Sequence, residues 1–384
     1  MTHRWHIALI VCFFAALWLP LLDNALRFDR TRPTDENRAL APPPLLEASE
    51  QAVKEFPQRF EAWYNDRFGF RNFLVRLYHT LHFGWLGIAD PDKVLKGKEG
   101  WLYLGRYAQI DEARGLNPVA EADVAAWVAK LDAIRQWQEA RGASFLVVLV
   151  PDHYRVFPEY LPDWFVASES RRKEQLLQGL APTGMAVLDL SEALRAAKET
   201  SPHPIWLKTD THWNGVGAYY GYRAILKRLQ PTFPDLAPMD PAALTLAEAP
   251  PAINGYWHNT GNLAAQLGVR DLVPETWLGL LPPSPRAVPA DFPPPTRHAA
   301  GVNVPWATEI PGADLPRALV IGGSFRWALA PLLSEHFQRV LYTDFRYCFF
   351  DPALAAAEAP DVILFVMTEQ QLLSFPTPPE EDRW

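Results

Sequence analysis

The unbroken apolar run from Phe145 to Val150, opened by Ser144, constrains this chain more than any other stretch. A strand with one wet face alternates apolar and polar side chains. A run without alternation suits a strand covered on both faces, as in a parallel sheet between layers of helices. Residues 100–104, 185–190, 318–321, 340–343 and 362–367 read as further strands. Helical patterns lie between them. Asn117-Pro118 reads as a helix start, with a capping residue and a proline at the first helical position. Val124, Trp127, Leu131, Ile134 and Trp137 then recur at helical spacing, and Gly142 closes the segment. Residues 215–229 and 325–337 read as two more helices. The alternation predicts an α/β domain over residues 91–384, with a doubly wound, mainly parallel sheet flanked by helices. Residues 231–316 interrupt the pattern. They are proline-rich (Pro282-Pro283, Pro293-Pro294-Pro295) and read as an insertion bordering the substrate groove.

The N-terminus carries a different signal. Residues 7–22 hold no charge, after a short segment containing Arg4 and two histidines. The run exceeds most signal-peptide cores and is slightly short for a full membrane span. No small-x-small cleavage site follows, so residues 1–25 read as an uncleaved signal anchor. A cleaved signal peptide and a buried core helix are the alternatives. Residues 26–90 read as a juxtamembrane region, helical from 51 to 82, with aromatic side chains at Phe60, Trp63, Tyr64, Phe68 and Phe70.

Composition narrows the partners. The net charge is -8 and no basic run stands out, which argues against nucleic acid. Fifteen tryptophans suit either core packing or flat platforms for sugar rings. The two cysteines, Cys12 and Cys348, lie in unlike segments, and no disulfide is expected.

Two short stretches carry chemistry. Asp210-Thr211-His212-Trp213-Asn214 places an acid two residues before a histidine, just ahead of a helix. Far downstream, Gly322-Gly323-Ser324 joins a strand to a helix. A hydroxyl, an imidazole that takes its proton and a carboxylate that orients the imidazole form a nucleophile system for acyl transfer. The glycines allow a tight turn, and a helix N-terminus favours developing negative charge. A helix-capping serine and a chance Asp-His pair are the bland readings. Metal binding is the other use of Asp-x-His. Asp152, His153 and His258 are further ligand candidates, but none falls in a ligand spacing, so no metal is expected. No phosphate-binding loop or dinucleotide fingerprint is present, and no cofactor is expected.

Together these segments resemble the alginate O-acetyltransferase family (the AlgJ/AlgX group), whose catalytic domain has an SGNH-hydrolase-like fold. The resemblance runs through Glu36-Asn37-Arg38, residues 64–71, Gly97-Lys98-Glu99-Gly100-Trp101-Leu102-Tyr103-Leu104 and the loop from Val150 to Pro162. Its specific parts are Asp210-Thr211-His212-Trp213 and Gly322-Gly323-Ser324-Phe325. It implies that Ser324 is the nucleophile that carries an acetyl group, His212 the general base and then acid, and Asp210 the group that orients His212. It further implies an inner-membrane protein with a single N-terminal span and a periplasmic catalytic domain. The acceptor is a polysaccharide hydroxyl, and a membrane-bound O-acyltransferase delivers the acetyl group. Gly323, Arg346, Trp213, Asn214 and His153 are candidates for oxyanion or substrate contacts. Three departures stand beside the likeness. Gly323 replaces the acid of the usual Gly-Asp-Ser turn, and His153 stands where a lysine is common. No C-terminal carbohydrate-binding module is expected. An esterase of the same architecture and a non-catalytic glycan-binding or assembly subunit are the competing readings.

Overall fold

The structure, a computed structural model, describes residues 2–30, 40–45, 49–85, 93–105, 108–249, 261–292, 305–344 and 349–373. It divides into two compact units. One comprises Met1–Val94 with Leu263–Val273, the other Leu95–Asn262 with Pro274–Trp384.

The first unit is helical. α1 (Thr2–Leu26) contains one segment, Arg4–Leu26, long and apolar enough to cross a membrane. At 1.5 Å per residue its 23 residues span about 34 Å, which matches a hydrocarbon core of about 30 Å. Almost all of its side chains are exposed, so it is not a core helix of this chain. α2 (Glu50–Asp66) is opened by Ser49, whose hydroxyl accepts the Ala52 N–H at 3.2 Å. α3 (Arg71–His79) runs on as a wider π-turn through Trp85.

The second unit is built on a seven-stranded sheet. The elements follow in chain order: β1 (Val94–Lys96), β2 (Leu102–Leu104), α4 (Gln109–Ala113), α5 (Glu121–Glu139), β3 (Ser144–Val150), α6 (His153–Val156), α7 (Arg172–Leu180), β4 (Val187–Asp189), α8 (Ser191–Thr200), α9 (Gly215–Leu229), β5 (Thr245–Ala247), α10 (Asn262–Gln266, which from Leu263 on belongs to the first unit), β6 (Gly279–Leu281), β7 (Val288–Ala290), β8 (Trp306–Glu309), β9 (Arg317–Gly322), α11 (Arg326–Leu333), β10 (Arg339–Thr343), α12 (Pro352–Glu358) and β11 (Val362–Thr368). The sheet order is β4-β3-β11-β9-β10-β8-β7. The first five strands are parallel; β8 and β7 complete one edge antiparallel.

The apolar runs divide between two cores. Leu146, Val148 and Val150 of β3 face one layer with Leu364 of β11 and Val320 of β9; Phe145, Val147 and Leu149 face the other with Phe365 and Ile321. Both layers are buried, which explains why these strands do not alternate in polarity. Each such side chain contributes about 1.5–3 kcal/mol on burial. α8, α9 and α11 supply the first layer, α5, α7 and α12 the second.

The structure corrects one expectation. The helix expected to start at Asn117-Pro118 begins at Glu121. The Asn117 side chain is occupied elsewhere, accepting from Arg172 Nη2 at 2.7 Å, and Glu121 and Asp123 place acids in the first turn instead. Residues 231–316, the proline-rich insertion, hold short strands. Their short strands form the β5–β6 ribbon and the antiparallel sheet edge, and such pieces are too short to register as periodic runs.

Candidate active site

The parallel strands end along one edge of the sheet, and the site is assembled there. β9 ends at Gly322, paired with Val366 of β11, and Ser324 follows in the turn into α11. The turn demands glycine for a local reason. A Cβ on Gly322 would lie 2.8 Å from the Val366 carbonyl oxygen, and one on Gly323 would lie 1.8 Å from the Gln371 side-chain nitrogen. An acid in place of Gly323 would require the Gln371 side chain to move aside. α11 starts two residues beyond Ser324, which sets the positive end of that helix beside the serine.

Asp210 and His212 precede α9. They meet through a turn rather than through extended backbone: Asp210 Oδ1 accepts the His212 N–H at 2.9 Å. The same oxygen lies 2.7 Å from His212 Nδ1, and His212 Nε2 lies 2.7 Å from Ser324 Oγ. Asp210 is buried, whereas the His212 side chain keeps 17% of its exposure and Ser324 is half-buried. Burial alone would raise the Asp210 carboxyl. The hydrogen bond and charge of His212, with the N–H groups of Asn262 and His212, override it and hold that carboxyl down at about 2. An ionised Asp210 accepts from Nδ1–H, which leaves the Nε2 lone pair facing the serine hydroxyl.

Several residues without a sequence signal fix this loop. The Asn262 N–H donates to Asp210 Oδ2 at 3.0 Å; its side-chain oxygen accepts the Thr211 N–H at 2.9 Å, and its amide nitrogen donates to Thr211 Oγ1 at 2.7 Å. Glu275 accepts the N–H groups of Lys208 and Thr209 at 2.9 and 2.7 Å. Beneath the serine turn lies Arg326, fully buried. Its Nη1 donates to the carbonyls of Gly322 and Gly323, both at 2.7 Å, and to Asp344 Oδ2 at 3.3 Å. Its guanidinium carbon sits 4.9 and 5.4 Å from the ring centres of Trp306 and Trp327.

The remaining candidates take other parts. The Trp213 indole is buried and donates to the Phe325 carbonyl at 3.1 Å. It ties the histidine loop to the serine turn and is no substrate contact. Asn214 is also buried. Its side-chain oxygen caps α9 by accepting from Val216 and Gly217, both at 3.0 Å, and its amide donates to the Pro204 carbonyl. Arg346 lies outside the described residues. His153 is buried in an aromatic cage, with its ring centre 5.0 Å from Trp206 and 5.6 Å from Trp101, and it presents no nitrogen to solvent. Of the residues weighed as metal ligands, Asp152 pairs with Arg171 at 3.2 Å and His258 lies outside the described residues. Among the described residues no cluster of three or more histidines, cysteines, aspartates or glutamates is placed to hold a metal.

Burial pushes the His153 imidazole down to about 3, only partly countered by the charge of Asp210. An unfolded histidine titrates near 6.5. The folded value lies below it, so the unfolded state takes up the proton first. The stabilising contribution is complete above about pH 6.5 and drains away as pH falls toward 3. A His153→Phe variant is expected to lose less stability between pH 7 and pH 4.5 than the parent does. Urea midpoints at the two pH values measure this, and equal losses refute it.

Part of the chain resembles known proteins. Residues 94–278 match the family described as SGNH hydrolase-like domain, acetyltransferase AlgX. Over 159 residues the chain is 30% identical to a probable alginate O-acetylase AlgJ of Pseudomonas syringae pv. tomato, covering 41% of this chain and 38% of that protein. The corresponding protein of Pseudomonas aeruginosa is 26% identical over 160 residues, with 41% and 38% covered. The matches thus span well under half of the curated relatives. Among solved structures, Bacillus cereus PatB1 with a sulfonyl adduct has a TM-score of 0.50 at 18% identity, covering 73% of this chain and 95% of that one, a likeness of fold. The family match includes Asp210 and His212 and stops short of Ser324, whose place beside them comes from the sheet. By that match, residues 94–278 of this chain are similar to the SGNH hydrolase-like domain of the AlgX-type acetyltransferases.

Proposed function

We propose that this chain is an O-acetyltransferase, anchored by α1 in a bacterial inner membrane with its second unit in the periplasm, acting on hydroxyls of an exported polysaccharide such as alginate. The observation that carries the reading is the 2.7 Å approach of His212 Nε2 to Ser324 Oγ, with Asp210 fixed behind the imidazole. In the first half-reaction Ser324 Oγ attacks the acetyl carbonyl while its proton passes to His212 Nε2. The imidazolium returns that proton to the leaving group as the carbon–oxygen bond to the donor breaks, and an acetyl-serine remains. In the second half-reaction a sugar hydroxyl attacks the ester and gives its proton to His212. Collapse transfers the acetyl group to the sugar, and the proton restores Ser324. Acid-base assistance of this kind contributes about 10²- to 10⁴-fold. The positive end of α11 favours the oxyanion of both tetrahedral intermediates. The acetyl donor reaches the site through a membrane-bound O-acyltransferase.

The test uses the full-length protein in detergent with an activated aryl acetate as donor. Acceptors are a panel of acidic and neutral oligosaccharides, alginate oligomers included. Mass spectrometry is expected to find acetylated oligosaccharide and a transient acetyl adduct on the peptide containing Ser324. Release of acetate to water with no acetylated acceptor would assign an esterase. Absence of both adduct and turnover would leave a glycan-binding or assembly subunit.

A further inference from the structure

The first unit carries a stripe of large apolar side chains that are about half exposed. Phe73, Leu74, Leu77, Tyr78 and Leu81 are 47%, 45%, 41%, 55% and 43% exposed. Their spacing of one, four, five and eight residues from the first places all five on one side of α3 and the turn that continues it. An exposed apolar face of this size on a folded helix marks a contact surface.

Contacts within the unit say which surface. The segment joining α2 to α3 is locked onto the last turns of α1. Gly69 packs so closely on Pro20 that a Cβ there would lie 2.0 Å from the Pro20 carbonyl oxygen. The carboxylate of Asp23, buried although it lies on an otherwise exposed helix, accepts the Phe70 N–H at 2.9 Å and the Asp29 N–H at 2.6 Å. Asp29 in turn accepts the Phe73 N–H at 3.3 Å. Pro20 and Asp23 lie at the end of the membrane-crossing segment, the depth at which hydrocarbon gives way to headgroups. The start of α3 is therefore held at that level.

We infer that α3 lies in the membrane–water interface, with its Phe73–Leu77–Leu81 stripe set among the acyl chains of the leaflet that α1 leaves. The occupant of the stripe is phospholipid, continuous with the lipid that surrounds α1. Tyr78 has the amphipathic ring favoured at headgroup depth, and the exposed Arg67 supplies a cation next to the anchor point. This inference rests on the reading of α1 as a membrane anchor, so the experiment separates the two.

The full-length chain, with Cys12 and Cys348 replaced by serine, receives one cysteine at a time through Phe14→Cys, Phe73→Cys, Leu77→Cys or Arg76→Cys. Each carries a nitrobenzoxadiazole label and is placed in nanodiscs of phosphatidylethanolamine and phosphatidylglycerol, with or without phospholipid brominated near the headgroup or deep in the chain. Circular dichroism checks that each labelled protein keeps its helices. Labels at 73 and 77 are expected to be quenched several-fold more by shallow bromine than the label at 76, on the other side of α3. The label at 14 is expected to be quenched by deep bromine. Quenching at 14, with 73 and 77 no more quenched than 76, overturns the inference, keeps the anchor and leaves the stripe to a protein partner. No quenching at 14 removes the anchor and the inference together.

Discussion

Replacing Ser324 by alanine is expected to lower acetyl transfer by about 10⁴- to 10⁶-fold while leaving the unfolding midpoint nearly unchanged. The serine hydroxyl is half-buried and its close partner in the structure is His212 Nε2, so the fold loses little with it. His212→Ala is expected to cost a similar factor, because an imidazole that no longer faces a nucleophile assists nothing. The double variant should then be no worse than either single one. Groups acting as one unit share a single loss, whereas independent contributors would multiply their losses. Single-turnover acetyl transfer with the three proteins decides the matter. A double variant whose defect is the product of the two single defects would break the assignment of one joint site.

Removal of Arg326 is expected to have the largest effect on stability, about 3–5 kcal/mol for Arg326→Leu. Arg326 and Asp344 are both fully buried, so truncating the arginine removes a cation from beside a carboxylate that has left water. The carbonyls of Gly322 and Gly323 lose a donor at the same time. Arg326→Lys should recover only part of the loss, since an ammonium cannot reproduce the planar fork that lies along Trp306 and Trp327. Chemical denaturation of the three proteins measures these differences. A change below about 1 kcal/mol for Arg326→Leu would mean that the turn stands without its brace.

Much of the architecture was legible because the physics behind it is local. A strand buried on both faces must be apolar throughout, and β3, β9 and β11 read that way within a residue or two of their observed ends. The short strands of residues 245–309 were not legible. Three or four residues cannot display a period, and their pairing is decided by neighbours distant in the chain. The same division runs through the site. Asp210, His212 and Ser324 stand in stretches whose residue types announce a chemistry, and the structure brings these three together. Asn262 and Glu275 clamp the loop from a proline-rich stretch where nothing in composition sets them apart. Arg326 did leave a trace, since a cation in the first turn of an apolar helix opposes the helix dipole and needs a counter-ion elsewhere. Trp213 and Asn214 were ambiguous between ligand contact and scaffolding. Their partners, a carbonyl of the serine turn and the open end of α9, are fixed only by the three-dimensional arrangement.

The order of strands in the sheet has a consequence for how the molecule comes into being. β11 occupies the place between β3 and β9, yet among the described residues it is the last strand, after every residue of the Asp210, His212 and Ser324 set. A ribosome or translocation channel delivers the N-terminal strands first, so the nascent sheet has a gap at its centre until residues 362–368 emerge. Strand β9, and the serine turn at its end, has one flank unsupported for that whole interval. Parallel pairing on both flanks of β9 is therefore complete only once the residues of β11 have been made.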